Sequence, residues 1–153
     1  MTAAGVLVVG YGNSLRTDDG VGWHAAGLLA ADPRLAGAQV LARHQLTPEL
    51  ATDIGRASLV VLVDASADGD PGSVSVRPVE TEPSVATTWS HHLDPQALAS
   101  LTQALYGATP SIFLVSVAAT SFAIGDRLST TLERTLPDIV EVVADVITRY
   151  SRA

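Results

Sequence analysis

Short runs of β-branched and leucine residues along the chain alternate with longer segments whose apolar residues recur every three or four positions. The short runs are typical of strands buried on both faces, and the longer segments are typical of helices that bury one side. Strands are predicted at residues 6–9, 40–42, 59–63 and 112–117. Helices are predicted at about residues 20–31, 47–55, 94–106 and 132–150.

This order of elements predicts an α/β fold, a three-layer sandwich with a mixed, mostly parallel sheet of about five strands and helices on both faces. The fifth strand, residues 74–76, alternates valine with serine, and we expect it to form a hairpin with the strand before it. Pro137 lies inside the last helical segment and predicts a kink or a break. The length of 153 residues suits a single domain, 1–153.

Composition excludes several kinds of chemistry. The chain contains no cysteine, which excludes disulfides, thiolate metal sites and cysteine nucleophiles. The first residues carry neither a basic segment nor a cleavage signal, so we expect a cytoplasmic protein. No apolar run approaches the roughly 20 residues of a membrane span, and a net charge of −7 argues against nucleic acid. We therefore expect neither a membrane nor a nucleic-acid partner.

The first predicted strand leads into a loop rich in glycine and aspartate, residues 10–22 (GYGNSLRTDDGVG). A dinucleotide-binding loop would need a third glycine where Leu15 stands. Asp18 and Asp19 would also repel a phosphate at the start of the following helix. Arg43, at the end of the second strand, is the one feature that favours an NADP site. Nucleotide binding therefore remains the last of the alternatives.

Aspartates follow two of the predicted strands. Asp18 and Asp19 follow the first, and Asp64 directly follows the strand at 59–63. Because the carboxyl ends of parallel strands meet at one edge of the sheet, these carboxylates could form a cation site there. Helix caps or turns would be the simpler interpretation. For Asp18 in particular we favour a helix cap over a general base that activates water.

Two adjacent histidines, His91 and His92, stand just before a helix start at Asp94-Pro95. A histidine outside a helix N-terminus resists protonation, and the neutral imidazole is the form that binds metals. One histidine nitrogen with two aspartate oxygens would suit Ni, Zn, Mn or Co and leave positions open for substrate. Exposed loop histidines are the alternative. His44, after the second strand, is a reserve candidate for the same crevice.

The loop at 10–22 resembles the G-x-G-N-x-L-x-x-D-D/E-G-x-G opening of hydrogenase maturation proteases, with every fixed position filled. These endopeptidases remove a C-terminal extension from the large subunit of nickel–iron hydrogenases. The resemblance implies that Asp19, Asp64 and His92 bind the metal and carry the catalysis. His92 is selected because the family pattern has proline or glycine three residues later, here Pro95. His91 stays in reserve.

The resemblance also implies the substrate. Nickel already installed in the large-subunit precursor would be contacted by the two carboxylates and the imidazole, and Zn or Cd could occupy the site in isolation. We expect a monomer, because the protein must bind a large precursor. After the second strand the family often has Asp-Gly-Gly where this chain has residues 43–46 (RHQL), which leaves the partner hydrogenase open. Expected substrate contacts are Gly12, Asn13, His44 and Trp89.

Two further functions stay open beside the endopeptidase. One is a general metal-dependent hydrolase acting on small substrates, and the other is a nickel-sensing chaperone that binds the large subunit without cutting it. The chain shows neither a Ser-His-Asp order nor an H-E-x-x-H helix. We therefore expect the peptide bond to be attacked by a water that a metal positions or a carboxylate activates.

Overall fold

The structure, a computed structural model, describes residues 5–81 and 93–150. In these ranges five strands form one sheet: β1 (Val6–Tyr11), β2 (Gln39–Arg43), β3 (Leu59–Ser66), β4 (Val74–Pro78) and β5 (Ser111–Ala118). Their order is β2-β1-β3-β5-β4. All neighbours are parallel except β4, which runs antiparallel to β5. The predicted mixed, mostly parallel sheet is confirmed.

Helices cover both faces of this sheet. They are α1 (Val21–Ala30), α2 (Leu50–Arg56), α3 (Pro95–Tyr106) and α4 (Thr130–Tyr150). Successive strand residues point to opposite faces, so Val61 packs in a cluster with α1 and α4, and Leu62 packs in a second cluster with α2 and α3. The three predicted layers are therefore present. No helix in the described ranges is long and apolar enough to cross a membrane.

The start of α3 follows local sequence chemistry, because a cap residue and a proline coincide there. At α3, Asp94 Oδ1 accepts a hydrogen bond of 2.7 Å from the backbone N–H of Ala97, and Pro95 occupies the first helical position. This satisfies one of the N–H groups that a helix leaves without an internal partner. The cap predicted at Asp94-Pro95 is therefore confirmed.

Two sequence predictions about individual elements are wrong. β4 does not form a hairpin with β3, because β5 lies between them. β5 is apolar on both faces and takes the protected position, whereas the valine–serine alternation of β4 suits an edge strand. The prediction of a break at Pro137 is wrong, because α4 is one continuous helix, and the alternative of a kink stays a prediction. Ile139 and Val143 are fully buried beyond the proline, and this packing outweighs its local penalty.

The strand order places a topological switch point between β1 and β3. From β1 the chain adds β2 on one side, and the later strands β3, β5 and β4 lie on the other side. In open α/β sheets, ligands bind at such points, outside the carboxyl ends of the strands. The loop after β1 and the end of β3 meet at this edge, and both carry the aspartates identified in the sequence.

Candidate functional site

The chain from β1 to the first turn of α1 is folded tightly because two of its glycines allow one backbone segment to approach another. Gly12 has a φ of +144°, and a Cβ there would collide with the carbonyl oxygen of Asp19. A Cβ on Gly22 would collide with the carbonyl oxygen of Val63, so this glycine lets α1 begin directly against β3. The glycines of the motif thus serve to position the loop's aspartates rather than to approach a phosphate.

Asp18 is completely buried and serves the fold. Its carboxylate accepts backbone hydrogen bonds from Thr120 (2.8 Å), Ser121 (3.1 Å) and Ser129 (2.7 Å), and a fourth bond from the Ser129 hydroxyl (2.9 Å). The Ser129 hydroxyl in turn accepts from a backbone N–H of α4. The prediction that Asp18 caps the helix after its own loop is wrong, because neither that helix start nor the short turn before it has a side-chain cap. Asp18 instead ties the first loop to the start of α4.

Asp19, the next residue, is in a different environment. It is only half-buried, and its Oδ2 accepts one hydrogen bond of 2.8 Å from the backbone N–H of Asn13. The side chain of Asn13 accepts a hydrogen bond of 2.9 Å from the backbone N–H of Leu15. This bond closes a turn that holds the backbone N–H of Asn13 in position. From the described residues, Oδ1 of Asp19 accepts no hydrogen bond. One carboxylate oxygen is therefore available to a ligand.

Asp64 lies in the middle of a row of polar side chains across three neighbouring strands. Its Oδ2 accepts a hydrogen bond of 2.8 Å from the Tyr11 hydroxyl, and its Oδ1 accepts one of 3.0 Å from the Ser116 hydroxyl. β3 extends beyond Asp64 to Ser66, further than the predicted strand. Its pairing with β1 nevertheless ends one residue before Asp64, at Val63. Asp64 therefore lies one residue beyond the last β1–β3 pair, at the carboxyl end of the sheet.

The surroundings of Asp64 raise its pKa above that of an ordinary aspartate. Burial raises its pKa above the ordinary aspartate value, and the negative charge of Asp19 raises it further. Hydrogen bonds from Tyr11 and Ser116 and the positive charge of Arg77 act in the opposite direction without cancelling the rise. The effect of Asp19 on the pKa of Asp64 also indicates that the two carboxylates lie near each other, as expected at one sheet edge.

Tyr11 and Ser116 were not identified from the sequence as site residues. Burial, followed by the adjacent carboxylate of Asp64, raises the pKa of the Tyr11 phenol far above its ordinary value, so its hydroxyl remains a donor. The alternation along β1 places Tyr11 on the same face as Val9, two positions earlier, and both pack in the cluster under α2 and α3. The strand register, which pairs Asp64 directly with Ser116, completes the row. Sequence periodicity predicts the face of each residue but not this pairing.

Three of the residues named from the sequence lie outside the described residues: His91, His92 and Trp89. Their assignment as metal ligands and substrate contact stays a prediction. Within the described ranges, no group of three or more His, Asp or Glu residues is arranged to hold a metal ion. The described part of the predicted site is therefore the carboxylate pair, Asp19 and Asp64.

The remaining candidates lie around this pair. His44 is exposed, and its ring stacks on Trp23 of α1 with 4.7 Å between centroids. Its role as a substrate contact stays a prediction. Arg43 is exposed at the end of β2, and its guanidinium donates to the carbonyl of Ala42 at 2.9 Å. Gly12 and Asn13 have the structural roles given above, which leave their substrate contacts untested.

Two apolar side chains are exposed on the loops beside the carboxylates. Leu15 is 60% exposed and Ile124 is 87% exposed. Their loops are joined by backbone hydrogen bonds, from Gly125 N–H to the Leu15 carbonyl (2.9 Å) and from Thr17 N–H to the Gly125 carbonyl (3.0 Å). Leu15 and Ile124, named the apolar rim below, therefore lie on two loops that are bonded to each other, and Asp18 ties the first of these loops to the start of α4.

Solved structures of similar fold were found by comparison. The chain is similar to the [NiFe] hydrogenase maturation protease HycI from Thermococcus kodakarensis, with a TM-score of 0.73, 22% identity, and coverage of 94% of this chain and 92% of that one. It is equally similar to the hydrogenase maturating endopeptidase HybD from Escherichia coli, with a TM-score of 0.73, 21% identity, and coverage of 98% and 94%. No family model and no curated protein matches the chain. The comparisons therefore establish a shared fold over nearly the whole length.

Proposed function

We propose that this protein is an endopeptidase of the hydrogenase maturation type, which removes the C-terminal extension of a nickel–iron hydrogenase large-subunit precursor after nickel insertion. The observation that carries the proposal is the pair Asp19 and Asp64 at the β1–β3 switch point, each with carboxylate lone pairs left over. The shared fold supports the same conclusion, since the named proteins of that fold are maturation proteases.

The donor set fits a divalent cation carried by the substrate. Asp19 has one oxygen without a hydrogen bond from the described residues, and each oxygen of Asp64 accepts only one. Oxygen ligands of this kind, with an imidazole, suit the borderline ions that include nickel. His92 is the proposed source of the imidazole.

The hydrolysis itself needs a water and a proton acceptor. Asp18 is fully buried and enclosed by its four hydrogen bonds, so an attacking water has no access to its carboxylate. Asp19 is the carboxylate that can accept the proton. In the proposed step the water oxygen attacks the scissile carbonyl carbon, the C–N bond breaks, and the proton passes through Asp19 to the departing amine.

The test is to incubate the protein with a large-subunit precursor, nickel-loaded and nickel-free, and to measure intact mass. We expect loss of a C-terminal peptide from the loaded form only. Asp19→Asn and Asp64→Asn should abolish it, whereas Asp138→Asn, an exposed carboxylate on α4, should cleave like the wild type. A complex without a mass change would favour the chaperone. Hydrolysis of small esters or peptides without the precursor would favour the general hydrolase.

A further inference from the structure

We infer that the hydroxyl groups of Tyr11 and Ser116 are positioning groups for Asp64, holding its carboxylate in the orientation in which it meets a divalent cation. The inference rests on the proposed function for the identity of the ligand. The two hydroxyls themselves belong to no part of the predicted site. They are assigned here from the hydrogen bonds at 2.8 Å and 3.0 Å.

The geometry of the row explains how the carboxylate is held. Asp64 is flanked by β1 on one side and β5 on the other, and it lies directly opposite Ser116 in the register. One hydroxyl binds each carboxylate oxygen, so rotation of the carboxylate would break at least one bond. Each oxygen of a carboxylate has two lone pairs. The hydroxyls therefore fix the group and still leave one lone pair on each oxygen for a cation.

Tyr11 is itself held firmly, which makes it suited to this role. Its ring packs against the apolar cluster under α2 and α3. The backbone N–H of the next residue, Gly12, donates to the carbonyl of Arg43 at 3.0 Å, and α1 begins so close that a Cβ on Gly22 would lie 2.7 Å from the Tyr11 nitrogen. Its hydroxyl is thus held at 2.8 Å from Asp64 Oδ2, to which it donates.

Partners that orient a metal ligand usually contribute roughly 10- to 100-fold in metal affinity. The experiment measures Ni²⁺ binding to the metal-free protein by calorimetry, together with KM and kcat for the nickel-loaded precursor. We expect Tyr11→Phe and Ser116→Ala each to weaken Ni²⁺ binding by about 10-fold or more and to raise KM more than they lower kcat. Ser116→Thr, which restores a hydroxyl, should recover most of the affinity.

Tyr106→Phe is the matched control. It removes a tyrosine hydroxyl that bonds Thr52 at 2.9 Å between α3 and α2, away from the carboxylates, and it should leave Ni²⁺ affinity unchanged. Wild-type affinity and KM in both Tyr11→Phe and Ser116→Ala would overturn this inference alone. Absence of both Ni²⁺ binding and cleavage in the wild type would overturn the proposed function, and the inference with it.

Discussion

Asp18 and Asp19 are neighbours in sequence, but their carboxylates have very different surroundings. Asp18 is fully buried with four hydrogen bonds from residues more than a hundred positions away. Asp19 is half-buried with one bond, from the turn beside it. The difference shows that the place of a carboxylate in a motif does not determine how many donors surround it, and it is the basis for proposing a structural role for Asp18 and ligand binding for Asp19.

The largest effect is expected from Asp18→Asn. The amide keeps the shape but presents N–H groups to some of the four donors, which leaves buried donors without acceptors. We expect a loss of about 3–5 kcal/mol in the free energy of unfolding, measured by urea denaturation. A loss below about 1 kcal/mol would show that these hydrogen bonds do not hold the loop to α4.

Asp19→Asn should have the opposite effects, with little loss of stability and a large loss of activity. Because Asp19 is half-buried and makes one hydrogen bond, we expect the free energy of unfolding to change by less than about 1 kcal/mol. Precursor cleavage should fall by about 100-fold or more, equivalent to about 2.7 kcal/mol in barrier height. Intact-mass kinetics beside the same urea titration measure both quantities. Equal losses of stability and activity would remove the contrast with Asp18.

A smaller effect is expected at the apolar rim. Leu15→Ser should raise KM for the precursor about fivefold, equivalent to about 1 kcal/mol, with little change in kcat. The matched control is Leu105→Ser, since Leu105 is also 60% exposed but lies near the C-terminal end of α3. Equal KM values for the two variants would show that the rim does not contact the precursor.

The smallest effect concerns pH and Asp64 in the metal-free protein. Folding raises the pKa of this group, chiefly through burial, so the folded state binds the proton more tightly than the unfolded chain. The group therefore lowers stability as pH rises through the ordinary aspartate value to the raised folded value. Asp64→Asn should therefore gain stability relative to the wild type as the pH rises across that window. Urea unfolding with a chelator present, repeated over pH, measures the difference in the free energy of unfolding between the two proteins. A difference that does not change with pH would contradict the prediction.

Much of the fold could be predicted because strands and helices leave a local signal. The apolar runs located β1, β3 and β5, and the signature at Asp94-Pro95 located α3. The position of β4 at the far edge could not be predicted, since it depends on which strand takes the protected place. In the site, strand order placed Asp18, Asp19 and Asp64 at one sheet edge, and the family resemblance selected Asp19 of the adjacent pair. The partners of Asp18 and the pairing of Asp64 with Ser116 depend on long-range register, which no local pattern contains.

The hydrogen bonds from Thr120, Ser121 and Ser129 to Asp18 span 102 to 111 residues of sequence. Contacts so distant along the chain form late in folding, because the intervening segment must be ordered first. A chain that stops at the end of β5 would contain every residue of the glycine–aspartate motif and still lack the donors that hold the loop presenting Asp19. The segment between β5 and α4 must therefore be synthesised before the first loop can reach its final conformation.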